Sequence, residues 1–170
     1  PNRMLLADRL QLSMAKTERS QKLLAVCYLD LDGFKPVNDQ YGHQIGDLVL
    51  IEVARRLEKC VREVDTVARL GGDEFLILVS NNESPREAGE RIAGSCIAAL
   101  AAPIAVDNQA IRIGISIGIA FASPGQDGDR SASLLLSQAD IAMYRAKAEG
   151  RNRYAVYNTD QPDDQPESNT

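Results

Sequence analysis

The segment Leu23 to Leu29 reads LLAVCYL, an unbroken apolar run that leads directly into Asp30-Leu31-Asp32-Gly33. Apolar residues without alternation are the pattern of a strand buried on both faces. Such a strand lies inside a sheet and needs a covering layer on each side. The rest of the chain supplies those layers. Residues 4 to 18 place Leu6, Leu10 and Met14 at helical spacing among charged residues. Ile45, Leu48, Val49, Val53 and Leu57 predict a second amphipathic helix over 45–61. A third spans Pro85 to Ala102, with proline at its start and acids early. The last runs from Leu134 to Ala148. Between the helices, VARL and FLILV flank Gly71-Gly72-Asp73-Glu74 and predict a β-hairpin. Ile104–Val106 and Ile111–Phe121 predict a second hairpin around Asp107-Asn108, and Tyr154–Tyr157 a short final strand. The expected fold is α+β, with a mostly antiparallel sheet covered by helices.

Hydrophobic residues at 44% and charged residues at 25% exclude a wholly disordered, collagenous or coiled-coil chain. A net charge of −5 argues against an electrostatic grip on nucleic acid or anionic lipid. Four of the 24 acids (Asp160, Asp163, Asp164 and Glu167) fall in the stretch TDQPDDQPESNT, which has no Lys or Arg. The remainder is therefore close to neutral. That stretch predicts a disordered tail or linker stub over 158–170, leaving 1–157 as one domain. The longest charge-free stretch, Ile92 to Val106, is interrupted by Gly94 and Pro103 and is too short to span a bilayer. Cys27, Cys60 and Cys96 are odd in number, sit in apolar surroundings and lack CxxC spacing, so buried reduced thiols in a cytoplasmic protein are expected. The opening at Pro1, without a basic-then-apolar leader, is expected to be a cut through a longer polypeptide.

Two acidic clusters concentrate the chemistry. Asp30 and Asp32, two apart at a strand end, point to one face unless the strand bends. Carboxylates with a backbone carbonyl suit Mg²⁺, which is commonly shared with substrate phosphates. Taken alone, a polar loop capping the strand is the commoner reading. Gly71-Gly72 allow positive φ and close approach of a phosphate, and the adjacent Asp73 and Glu74 repel unless a cation stands between them. Ordinary turn chemistry would also explain that motif. Adjacent central strands would bring both tips to one edge, which is a layout for metal-assisted phosphoryl transfer. Lys147 and Arg151, four apart, are expected on one face at the end of the last helix, where they could simply complement its dipole. His43, the only histidine, is expected to cap the second helix rather than act as a base. Arg62-x-x-Asp65 reads by itself as an i,i+3 surface ion pair.

Several ordered motifs together resemble the GGDEF family of diguanylate cyclases: LDLDGFKPVND (Leu29–Asp39), GHQIGD (Gly42–Asp47), ARLGGDEF (Ala68–Phe75), IGISIGIA (Ile113–Ala120) and ADIAMYRAKAEGRNR (Ala139–Arg153). The resemblance runs from residue 1 to about residue 157. It implies a ferredoxin-like palm of the nucleotidyl cyclase type, with about five strands. It implies condensation of two GTP into cyclic di-GMP and pyrophosphate across a homodimer, with two Mg²⁺ or Mn²⁺ ions per site. Asp30, the Leu31 carbonyl and Asp73 would hold metal. Glu74 would be a further ligand or help deprotonate the 3′-hydroxyl. Asn38 and Asp47 would read guanine; Phe34, Lys35, Gly71, Gly72, Lys147 and Arg151 would contact the nucleotide and its triphosphate, with Lys35 also counted among the catalytic residues. Arg62 and Asp65 would form an inhibitory site for the product. Sensory or phosphodiesterase domains would lie outside this chain. The alternative is a module of the same family that binds GTP or cyclic di-GMP without turnover.

Overall fold

A computed structural model describes residues 3–20, 23–82, 84–122 and 132–158. Helix α1 (Arg3–Ser20) precedes β1 (Leu23–Asp32), which is followed by α2 (Phe34–Tyr41) and α3 (His43–Glu58). Then come β2 (Thr66–Gly71), β3 (Glu74–Asn82), α4 (Pro85–Ala101), β4 (Ile104–Val106), β5 (Gln109–Ile111), β6 (Gly114–Ala122), α5 (Ala132–Ala148) and β7 (Tyr154–Val156).

The apolar run becomes the centre of the molecule. β1 is the middle strand of a sheet ordered β2-β3-β1-β6-β7. Its partners β3 and β6 are antiparallel, and only β7 joins in parallel, beside β6. Alternation along β1 divides the interior in two. Ala25, Cys27, Leu29 and Leu31 enter one core with Phe34 and Val37 of α2, Val49 and Val53 of α3, and Ile92 and Cys96 of α4. Leu24 and Val26 enter the other with Leu6 and Leu10 of α1 and Leu135 and Ala139 of α5. Both faces are covered, as the unbroken apolar run requires. The expected α+β class and five-strand sheet are observed.

Three expectations change. The segment after Gly33 forms the separate helix α2, because Pro36 falls within its first turn, where a missing N–H removes no helical bond. Gly33 and Gly42, both at positive φ, bound it. The second hairpin is not one long pair of strands: β4 and β5 form their own two-stranded sheet, and the chain breaks at Arg112-Ile113 before β6 enters the main sheet. His43 opens α3 but does not cap it; Gly42 is the N-cap, and no side chain bonds there. Cys27 and Cys96 are buried and Cys60 is half-buried, all three as free thiols. Burial pushes Cys27 up to about 12, and the charge of Asp65 adds to the rise. The expected tail lies outside the described residues, save its first residue, Asn158. Among the described residues no helix is long and apolar enough to cross a membrane.

Candidate active site

Antiparallel pairing brings the two acidic clusters together. Asp30 stands opposite Glu74 in the β1–β3 register, and the Leu31 N–H donates to the Asp73 carbonyl at 3.1 Å. In an antiparallel pair a residue's N–H and C=O face the same neighbour, so the Leu31 carbonyl also lies on the hairpin side. The turn itself is made by Gly71 and Gly72, at φ 145° and 51°. Arg69 closes it by donating to the Gly72 carbonyl at 2.9 Å.

Asp30 and Asp32 both face α5 but have different partners. Lys147 Nζ reaches Asp30 Oδ2 at 2.5 Å. The other oxygen, Oδ1, is buried and accepts no hydrogen bond. Burial pushes the Asp30 carboxyl up to about 6; Lys147 works against that rise and the neighbouring Asp73 carboxyl adds to it. Asp32 is instead a clamp. It accepts from Ser116 Oγ at 2.7 Å and from the Asn152 N–H at 2.9 Å. That second bond fixes a turn in which Arg151 and Asn152 both take positive φ.

The clamp decides where Arg151 goes. α5 ends at Ala148, so Arg151 lies beyond the helix and does not share a helical face with Lys147, contrary to the spacing. It lines an open cavity of about 470 Å³ with Asp32, Arg112, Gly114 and Asn152. Lys147 is thus bonded to Asp30, while Arg151 lines the cavity that Asp32 also lines.

α2 packs on α3 so that Asn38 lies against Gly46, the residue before Asp47. Gly46 makes this possible, since a Cβ there would overlap the Asn38 amide oxygen. Asn38 is half-buried, while Asp47 and Lys35 are exposed. Phe34 is 8% exposed and its ring belongs to the core. What it can offer a ligand is a backbone N–H in the first turn of α2.

Arg62 and Asp65 form the i,i+3 pair, with more structure than a surface ion pair. The Asp65 side chain is fully buried. It accepts from the Arg62 N–H at 2.9 Å, from Arg62 Nε and Nη2 at 3.2 and 3.1 Å, and from the Ser80 N–H at 3.2 Å. Arg62 Nη2 also donates to the Ser80 carbonyl at 2.7 Å. Asp65 therefore ties the start of β2 to β3, and only the Arg62 head remains accessible.

Two neighbours of the acidic tips were not anticipated. Tyr28 Oη donates to Glu74 Oε2 at 3.1 Å. Asp140, on α5, lies close enough for its charge to be felt by Glu74: loss of water raises its carboxyl, Glu74 raises it further, and Lys147 opposes. Both were within reach of pattern reasoning. Tyr28 is two residues before Asp30 on the same strand face, and Asp140 is two helical turns before Lys147.

Among the described residues no three His, Cys, Asp or Glu side chains form an all-protein metal cage. Mg²⁺ rarely uses one, being held by one or two carboxylates and substrate phosphates. The Asp30–Asp73 pair fits that need, with a buried carboxylate oxygen lacking any partner.

A helix-covered palm whose two acidic strand tips are locked together, with cations beside them, is the layout of a phosphoryl-transfer domain. Residues 1–153 match the family described as "Diguanylate cyclase, GGDEF domain". The chain is 47% identical over 157 residues to MucR of Pseudomonas aeruginosa, a bifunctional diguanylate cyclase/cyclic di-GMP phosphodiesterase. That match covers 92% of this chain and 22% of MucR. An N-terminally shortened TpbB from Pseudomonas aeruginosa, comprising only its GGDEF domain, superposes with a TM-score of 0.85 at 37% identity, covering 93% of this chain and 90% of that one. The GGDEF domain of DgcB from Caulobacter crescentus, solved with c-di-GMP, gives 0.78 at 28% identity over 92% and 90% of the two chains. The chain belongs to the GGDEF domain family.

Proposed function

We propose that this domain condenses two GTP molecules into cyclic di-GMP, releasing two pyrophosphates. The observation that carries the reading is Asp30, whose buried, unpartnered Oδ1 stands beside Asp73 where the two strand tips are bonded together. Asp30, Asp73 and the Leu31 carbonyl would hold Mg²⁺ or Mn²⁺, with Glu74 placed either to add a ligand or to accept the 3′-hydroxyl proton. A divalent ion bound there would lower the pKa of the attacking hydroxyl and neutralise charge developing on the phosphate.

The chain's own groups do the rest. Asn38 and Asp47 present an amide and a carboxylate that suit the N–H edge of guanine. The first N–H groups of α2, including that of Phe34, and Lys35 would meet the phosphates, while the paired glycines leave the hairpin side unobstructed. Lys147 and Arg151 would approach the triphosphate from two sides. Lys147 already neutralises one oxygen of Asp30, and incoming phosphates would compete for it. The 3′-oxygen of one nucleotide then bonds to the α-phosphorus of the other; the bond to the bridging oxygen breaks, and pyrophosphate leaves. One domain holds one nucleotide, so two copies must face each other. Product could return to the exposed head of Arg62 and inhibit, but Asp65 would have to give up bonds within its own chain to join it. With GTP as substrate the domain would act in the cytoplasm, and the longer relatives suit a domain governed by input or phosphodiesterase domains.

The test is incubation with GTP and Mg²⁺ over a series of protein concentrations, with cyclic di-GMP as readout. The rate per protein is expected to rise with concentration, and Asp73→Asn to lower it by at least about a hundredfold. GTP binding without product at any concentration would favour the sensing module instead.

A further inference from the structure

We infer that Tyr28 is a positioning residue for Glu74, its hydroxyl holding one carboxylate oxygen so that the other is presented to the Asp30–Asp73 pair. This rests on the cyclase reading of the acidic tips. The geometry begins with register. In the β1–β3 pairing, Asp30 faces Glu74 and Tyr28 faces Leu76. Glu74 is therefore the diagonal neighbour of Tyr28 on the strand face that also carries Asp30. The Tyr28 hydroxyl spans this diagonal and donates to Oε2 at 3.1 Å. Among the described residues nothing donates to Oε1.

The tether answers a physical need. Glu74 is half-buried at the first position of β3, with Asp30 directly across and the Asp140 charge reaching it from α5. Surrounded by acids, an untethered glutamate would turn toward water, because like charges in a partly desolvated site repel more strongly than in bulk solvent. A phenol donor is uncharged, so it anchors the carboxylate without neutralising it, as a lysine would. Packing does not require the hydroxyl. The ring of Tyr28 lies half-buried against the core formed by α1, α5 and the sheet, where a phenyl ring would fill the same space. The bond to Glu74 is one that phenylalanine could not make.

The test is Tyr28→Phe in the full chain, read in three ways. Turnover with GTP and Mg²⁺ is expected to fall about tenfold, with the KM for GTP held within about twofold, because a bond to a charged group is lost at the reacting end of the site. Titration with Mn²⁺ alone, followed by its electron paramagnetic resonance signal, is expected to show weaker binding by several fold. Placed on a Glu74→Gln background, Tyr28→Phe is expected to add little, since the residue acts through Glu74. Wild-type turnover and Mn²⁺ affinity in Tyr28→Phe would overturn the inference, as would a full additional loss on the Glu74→Gln background. If the wild-type chain makes no cyclic di-GMP, the cyclase reading fails by itself. The Mn²⁺ comparison then still decides the role of Tyr28: weaker binding supports it and equal binding overturns it.

Discussion

Asp30 is under two opposed influences. One oxygen is satisfied by Lys147 and the other is buried with nothing to accept from, so the ionised form is costly despite the ion pair. The folded pKa of about 6 lies above the ordinary value of 3.8. A folded acid with a raised pKa binds more protons than the unfolded chain, so its contribution to stability is complete below the ordinary value and is lost as pH rises through about 6. In EDTA, wild type is expected to lose on the order of 1–2 kcal/mol relative to Asp30→Asn between about pH 4 and pH 7. Urea unfolding of both proteins at the two pH values checks this; an unchanged difference would count against it. Asp30 and Asp73 were legible as a pair because acids at strand ends and in glycine turns stand out in any sequence. The partner of Asp32 and the second partner of Asp65 were not. Ser116 and Ser80 lie far from them in sequence, and only the strand register brings them near. Asp65 shows the consequence: its spacing from Arg62 looked like a surface pair, yet its side chain has become a buried tie between strands.

At the scale of elements, α5 decides whether the site is assembled, since it carries Lys147 and Asp140 to the β1–β3 tips. It can lie so close to β6 only because residue 118 has no side chain. A Cβ there would collide with the Ala139 carbonyl oxygen and the Met143 nitrogen, both backbone atoms of α5 that cannot turn aside. Gly118→Ala is therefore expected to cost about 3 kcal/mol or more in chemical denaturation. In whatever fraction stays folded, GTP turnover should fall as Lys147 is carried away from Asp30. A stable Gly118→Ala protein with full activity would refute this account of α5. The long helices and the β2–β3 hairpin were readable because their periodicity runs over several turns or is punctuated by glycine. α2 was not, being eight residues long with polar Lys, Asn, Asp and Gln among its positions. The break at Arg112-Ile113 was hidden for a related reason: Ile111, Ile113 and Ile115 keep strand alternation across a point where the chain changes sheets. Arg151 misled because i,i+4 spacing implies a shared face only while the helix continues.

On the scale of the whole molecule, the β1 end and the glycine turn before β3 meet at one end of the sheet, with Lys147 on Asp30. On the proposed reading a single copy offers one nucleotide site, whereas cyclic di-GMP contains two equivalent phosphodiester bonds. If each copy forms one of them, a pair made of one wild-type and one Asp73→Asn chain can close only a single bond and should release a linear dinucleotide that still carries a triphosphate. Adding excess Asp73→Asn to a fixed amount of wild type is then expected to suppress cyclic product while the linear species accumulates. At equal amounts and random pairing, about half of all pairs are mixed and a quarter are wild type alone, so the linear product should already be visible by chromatography. A centre that formed both bonds by itself would leave the cyclic rate unchanged under the same addition. The experiment separates these cases without requiring a stable dimer, because only encounters that hold two nucleotides between facing acidic tips are counted.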